Sequence, residues 1–258
     1  MTRSFLLNTK AEILKCRNTA AVWLTLLGAG FIPLVNTIKC LARPDYFIPK
    51  VQSDPWGVYL DFNWQIAAGF LLIMYVVLLT SLVVQIEFRN HAWKQVFASP
   101  RSYADIFFSK LVTLHLLMVC CFILFNIFTL LSAFIINVFQ NRYNFSFHAI
   151  PINLMFTLSL KMYVSIVSVM IVQYCLCLHF SNFMIPIGIG LGLFTAGFMI
   201  RQWEYIYLYP YLHPMLIYFP NPGLEASAAQ KGMVSAMGWS ATGILAGITL
   251  TVSRFEKG

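Results

Sequence analysis

The sequence predicts an all-α polytopic membrane protein, one domain over residues 1–258, and three observations carry that prediction. Hydrophobic residues make up 59% of the chain and charged residues only 10%, whereas a soluble domain carries about 25% charged residues. Too little charge is present to cover a water-facing surface. Six apolar runs of about the length that crosses a bilayer follow one another along the chain. Most Lys and Arg residues lie beside those runs, where the orientation of a membrane protein is encoded.

The six expected spans are Ala20 to Leu41, Gln65 to Val84, Leu111 to Ile136, Thr157 to Leu178, Phe183 to Ile200 and Val234 to Val252. Ahead of the first, Phe5, Leu6, Leu7, Ile13 and Leu14 alternate with Arg3, Lys10, Glu12, Lys15 and Arg17, the pattern of an interfacial helix. The first run continues to Leu41 without a small-residue cleavage site, so it reads as an uncleaved span. Pro33 and Pro186 predict kinks. With both termini on the cytoplasmic side, that side holds Arg3, Lys10, Lys15, Arg17, Arg89, Lys94, Arg101, Lys110, Arg254 and Lys257. This is the orientation that the positive-inside rule favours.

Two outer connections are more than tethers. Residues 42–64 hold Asp45, Asp54 and Asp61 together with Trp56 and Trp64, which are expected at the headgroup level. Residues 201–233 hold Trp203, five tyrosines from Tyr205 to Tyr218, and Pro210, Pro214, Pro220 and Pro222. Rings with one polar end suit an interface, and the prolines predict short broken helices that re-enter the outer leaflet.

Between spans two and three, Phe88, Ala92 and Val96 recur at four-residue spacing beside Trp93 and Phe97. Arg89, Asn90, His91, Lys94 and Gln95 take the other side, which makes an amphipathic surface helix. It ends at Ser99-Pro100, and Ser102 with Asp105 has the spacing of a capping box that starts the next helix.

Chemistry-bearing patterns are scarce. No Asp or Glu lies well inside any span, which removes an intramembrane aspartyl protease and a carboxylate proton relay. A Walker A loop, a His-Glu-x-x-His site and a Gly-x-Ser-x-Gly elbow are all missing from the sequence. His115 and Lys161 near span ends read as snorkelling groups or as groups facing a wet interior. Cys16, Cys40, Cys120, Cys121, Cys175 and Cys177 lack His partners at ligand spacing and read as small packing residues. Gly188 with Gly192, and Gly243 with Gly247, have the spacing of close helix packing rather than of a phosphate loop. The net charge of +8 is spread beside spans, so no stripe for nucleic acid forms.

The string from Glu87 to Lys110 resembles permease subunits of ABC-2 type ATP-binding-cassette transporters, in particular the lantibiotic-immunity branch. The resemblance rests on Glu87, Asn90, Trp93, Lys94, Ser99, Pro100, Ser109 and Lys110, and elsewhere on layout. It implies a half-transporter in the cytoplasmic (inner) membrane, paired with a second permease chain, identical or related, and served by two separate ATPase subunits. ATP and Mg would bind those partners, leaving no cofactor in this chain. Glu87, Arg89, Asn90, His91, Trp93, Lys94, Ser99 and Pro100 would form the coupling helix and its ATPase contact. The expected cargo is an amphiphile, with peptide antibiotics as the leading candidate by resemblance. The rival reading is a membrane scaffold or sensor that transports nothing.

Overall fold

A computed structural model describes residues 2–51, 53–89, 102–219 and 228–255. These are helical throughout their ordered elements, with no strand among the described residues. In chain order the α-helices are α1 (Thr2–Cys16), α2 (Ala20–Ala42), α3 (Pro44–Val51), α4 (Pro55–Ile66) and α5 (Leu72–Arg89). There follow α6 (Tyr103–Phe139), α7 (Ile152–His179), α8 (Met184–Met199), α9 (His213–Tyr218) and α10 (Ala228–Phe255). A π turn, Ala67–Leu71, joins α4 to α5 without a break.

Four stretches are long and apolar enough to cross a membrane: Ala20–Ala42, Pro55–Phe88, Ala104–Phe139 and Ile152–His179. The fifth expected span, α8, has 16 residues and at 1.5 Å per residue reaches about 24 Å, short of the ~30 Å hydrocarbon core. The sixth, α10, has 28 residues and is not among the four.

Helix α5 is the centre of the bundle, packing on α2, α7 and α8, while α6 lies along α2 and α10 lies along α7. Lipid tails are as apolar as leucine, so these contacts rest on close fit and internal hydrogen bonds. Small residues supply the fit. A Cβ on Gly28 would sit 3.3 Å from the Tyr75 ring, and the Tyr75 hydroxyl meets Thr25 Oγ1 at 2.9 Å, tying α2 to α5. Elsewhere Asn36 Nδ2 donates to Asn63 Oδ1, and the Tyr59 and Ser132 hydroxyls lie 2.7 Å apart.

Several expectations change. The first outer connection is two helices, because α4 continues span two outward: Pro55 sits in its first turn and Asp54 Oδ1 accepts from Gly57 N–H. Trp64 is therefore carried into the core, fully buried against Phe122 and Phe125, rather than placed among headgroups. Trp56 is also buried and donates from Nε1 to the His148 carbonyl. Pro186 lies in the first turn of α8, where a missing N–H costs no helical bond, so it breaks nothing. Its carbonyl accepts from Gln173 Nε2.

The tyrosine-rich connection forms short broken helices, two 3-10 turns (Ile206–Leu208 and Pro210–Leu212) and then α9. Trp203 and Tyr205 are exposed, but Tyr211 is buried and donates to Gln173 Oε1. His213 is buried between Ser168 Oγ at 3.0 Å and the Tyr207 carbonyl at 2.9 Å. Tyr218 bonds Asp61 Oδ1 of α4.

The two glycine pairs behave differently within the chain. An added Cβ at Gly243 would lie 2.5 Å from Ile171 Cγ2, and one at Gly247 would lie 2.6 Å from the Phe107 ring. At Gly188 and Gly192 it would meet nothing within 4 Å, and the tight contacts of α8 fall at Gly190 and Gly197 instead. Gly243→Val should therefore lower the thermal stability of the detergent-purified chain by about 1–3 kcal/mol. Gly188→Val should leave it unchanged, measured as fluorescence-detected unfolding of the two variants side by side.

Candidate functional site

The helix α1 is amphipathic with its polar side turned inward. Asn8, Glu12 and Cys16, spaced by four, share one buried face, while Leu6, Leu7, Ile13 and Leu14 are exposed. A soluble protein would show the reverse. The arrangement fits a helix that lies in an interface, its leucines in the apolar layer and its polar stripe against the bundle.

What that stripe meets is a cluster of four charges, with Glu12, Glu87 and Lys110 buried and Lys15 at its exposed margin. Lys110 Nζ of α6 lies 2.7 Å from Glu12 Oε2 and 2.7 Å from Glu87 Oε1 of α5. Lys15 Nζ lies 2.6 Å from Glu12 Oε1 and 3.1 Å from Glu87 Oε1. Lys110 and Glu87 are each 1% exposed. Two lysines against two glutamates leave no net charge, and every pair is short enough for a charge-assisted hydrogen bond. Glu87 Oε2 is buried without a hydrogen-bond partner among the described residues.

The cluster joins three segments far apart in sequence: the N-terminal helix, the end of span two and the start of span three. Glu87 stands three residues before the undescribed stretch 90–101, and Lys110 stands two turns past Ser102, whose Oγ accepts from Asp105 N–H as the N-cap of α6. Thus the two ends of the segment read from sequence as an amphipathic elbow are tied to each other and to α1. Of the residues expected to contact an ATPase, Glu87 falls in this cluster. Arg89 ends α5, and Asn90, His91, Trp93, Lys94, Ser99 and Pro100 lie outside the described residues.

Glu12 and Lys15 were legible as charges on α1, but their partners were not. The available signal was the scarcity of carboxylates: before residue 105, the side assigned to the cytoplasm carries only Glu12 and Glu87. Two such rare acids beside lysines at span ends are candidates for a shared, buried pairing.

Burial pushes the Glu12 carboxyl up, but the neighbouring Lys110 and Lys15 outweigh it and hold it below its ordinary value of 4.5. For Lys15, burial works downward, and Glu12 and Glu87 carry it above 10.5. A lowered acid stabilises the fold above its unfolded pKa and loses that contribution as pH falls through the folded value. A raised amine stabilises below its unfolded pKa and loses it as pH rises through the folded value. The docking of α1 should therefore be flat between about pH 5 and pH 10 and weaken beyond both ends, read by limited proteolysis after Lys10. Lys110→Met, which leaves two buried carboxylates with one lysine, should cost about 3–5 kcal/mol of unfolding stability. Adding Glu12→Gln and Glu87→Gln to it should restore most of that loss.

Away from the cluster, His115 Nδ1 meets the Tyr163 hydroxyl at 2.6 Å and Asn126 Nδ2 donates to Ser159 Oγ, both bridging α6 to α7. Lys161 is exposed. Among the described residues no group of three His, Cys, Asp or Glu side chains could share a metal ion. Cys16, Cys40, Cys121 and Cys177 are buried.

A family model described as ABC-2 family transporter protein matches residues 9–197. No curated protein and no solved structure gives a match. The matched stretch begins inside α1, takes in all four members of the charge cluster and ends within α8. The chain belongs to the ABC-2 family of transporter proteins, as a multi-pass membrane component of an ATP-binding-cassette transporter.

Proposed function

We propose that this chain is the permease half of an exporter that moves an amphiphile out of the cytoplasmic membrane, with peptide antibiotics as the leading cargo. Six helices, counting the short α8 and the less apolar α10, span the bilayer, and both termini face the cytoplasm. Two permease chains enclose the path, and two ATPase subunits, carrying ATP and Mg, dock beneath them. The elbow from Glu87 to Ala98 is the docking element.

The observation that carries this reading is the position of the charge cluster. Glu87 and Lys110 hold the two roots of the docking segment together and bolt both to α1. A push on that segment cannot be absorbed by its roots splaying, because separating the pairs would strand buried charges. Displacement passes instead into α5, the central helix, and into α6 as a rigid-body movement. The exposed glycine face of α8, with Gly188 and Gly192 open in the single chain, supports a second permease copy packed there.

Trp93→Ala combined with Lys94→Ala should abolish copurification of the ATPase and with it transport in proteoliposomes. If docking and transport both survive, the assignment of the elbow fails. Lys110→Met should have a different signature, with the ATPase still bound and hydrolysing but cargo export reduced about tenfold, a coupling loss of roughly 1.4 kcal/mol. Copurification of a kinase or protease in place of an ATPase would favour the scaffold reading. Gly188→Ile with Gly192→Ile should reduce crosslinking between two permease copies while leaving single-chain stability intact.

A further inference from the structure

At the end of the bundle opposite the charge cluster, α6 and the connection that follows it enclose a cavity of about 520 Å³. Its wall is apolar, built from Leu130, Leu131 and Phe134 of α6, with Trp56, Phe145 and Ile150 around it. Leu131, Phe134 and Ile150 are exposed, so the groove opens sideways to the surroundings of the helix. In a spanning chain those surroundings are acyl chains. From Leu130 to Asn137 the groove follows α6 for seven residues, about 10 Å of membrane depth.

Its outer end is polar and rich in donors. Asn137 accepts at Oδ1 from Phe145 N–H and donates from Nδ2 to Ser146 Oγ, which leaves the serine hydroxyl to donate onward. His148 lines the same end. Arg142, exposed on the 3-10 turn Asn141–Tyr143, stands in the short stretch between the lining residues Asn137 and Phe145. Between Asp105 and Glu204 the chain contains no carboxylate at all. Asp54, ahead of Trp56, is committed to capping α4. Asp45 and Lys50 belong to α3, which packs on the Arg142 turn, and no ion pair with Arg142 forms among the described residues.

An apolar trough that opens to the bilayer, with Ser146 and His148 in its lining and the exposed Arg142 four residues before Ser146 in the chain, is complementary to an acidic amphiphile. We propose that this groove is a binding site for an anionic phospholipid of that leaflet, one acyl chain along Leu130, Leu131 and Phe134 and the phosphate at Arg142, Ser146 and His148. The bidentate donors of Arg suit a phosphate, which only accepts. This site lies outside the charge cluster and does not depend on the transport reading.

The test uses the full chain purified in mild detergent and incubated with mixed micelles holding equal amounts of phosphatidylglycerol and phosphatidylcholine. After gel filtration, retained lipid is quantified by mass spectrometry. The wild type should retain phosphatidylglycerol over phosphatidylcholine by about fivefold. Arg142→Gln should bring the ratio to near parity, Arg142→Lys should keep part of the preference, and Leu131→Trp should reduce retention of both lipids. Lys10→Gln, an exposed cation at the other end of the molecule, should leave the ratio unchanged. Circular dichroism confirms that each variant keeps its helix content. Parity in the wild type overturns the proposal. So does an unchanged preference in Arg142→Gln, or loss of preference in Lys10→Gln, which would mark diffuse charge attraction rather than a site.

Discussion

The contact on which this molecule depends is the meeting of Lys110 with Glu12 and Glu87, closed by Lys15. Taking Glu12, Glu87 or Lys110 out of water alone would be costly, and the cost is met only when oppositely charged partners arrive in hydrogen-bonding geometry. That makes the cluster cooperative. α1 cannot dock without supplying Glu12, and α5 and α6 cannot close side by side without bringing Glu87 to Lys110. Four charges therefore set the relative register of three segments, at the end of a bundle whose other contacts are mostly apolar and less selective.

The rest of the bundle follows from that asymmetry. Inside the apolar body there is little hydrophobic drive to hold helices together, so register is set by small residues and by pairs of neutral polar groups. Thr25 with Tyr75, Asn36 with Asn63 and Tyr59 with Ser132 tie spans one, two and three together. Gln173 and Ser168, along α7, and Asp61, on α4, receive the broken connection before α10 through Tyr211, His213 and Tyr218. Both ends of α5 and its extension α4 are thus fixed by polar contacts, one ionic and one largely neutral. The π turn lies between them, at the point where an extra residue inserted in one helix turn most easily takes up a shift.

Such contacts explain where residue patterns misled. Trp56 and Trp64 look interfacial when only their neighbours in sequence are considered, since both follow acidic, proline-bearing residues. Asp54 and Pro55 instead start a helix that runs on into span two, and its rotation carries Trp64 onto Phe122 and Phe125. Similarly, Gly188 and Gly192 share a spacing with Gly243 and Gly247, yet only the second pair is covered within the chain. Spacing places small residues on one face of a helix but carries no information about what lies opposite that face.

The places of most helices, Glu87 and Lys110 as charges at the margins of the elbow, and the N-terminal amphipathic helix were legible in local composition and periodicity. They depend on residues within a few turns of one another, and the shortage of charge left lipid as the only suitable solvent. What the tertiary structure alone decided is which face of each helix is inside. α1 turns its glutamate rather than its leucines to the bundle, because the distant partner of Glu12 is Lys110, 98 residues away, and Lys15 of the same helix reaches Glu87 on the helix that ends at Arg89. A pairing at that distance is selected by the cost of leaving a buried charge alone, a quantity that belongs to the assembled fold and to no stretch of sequence.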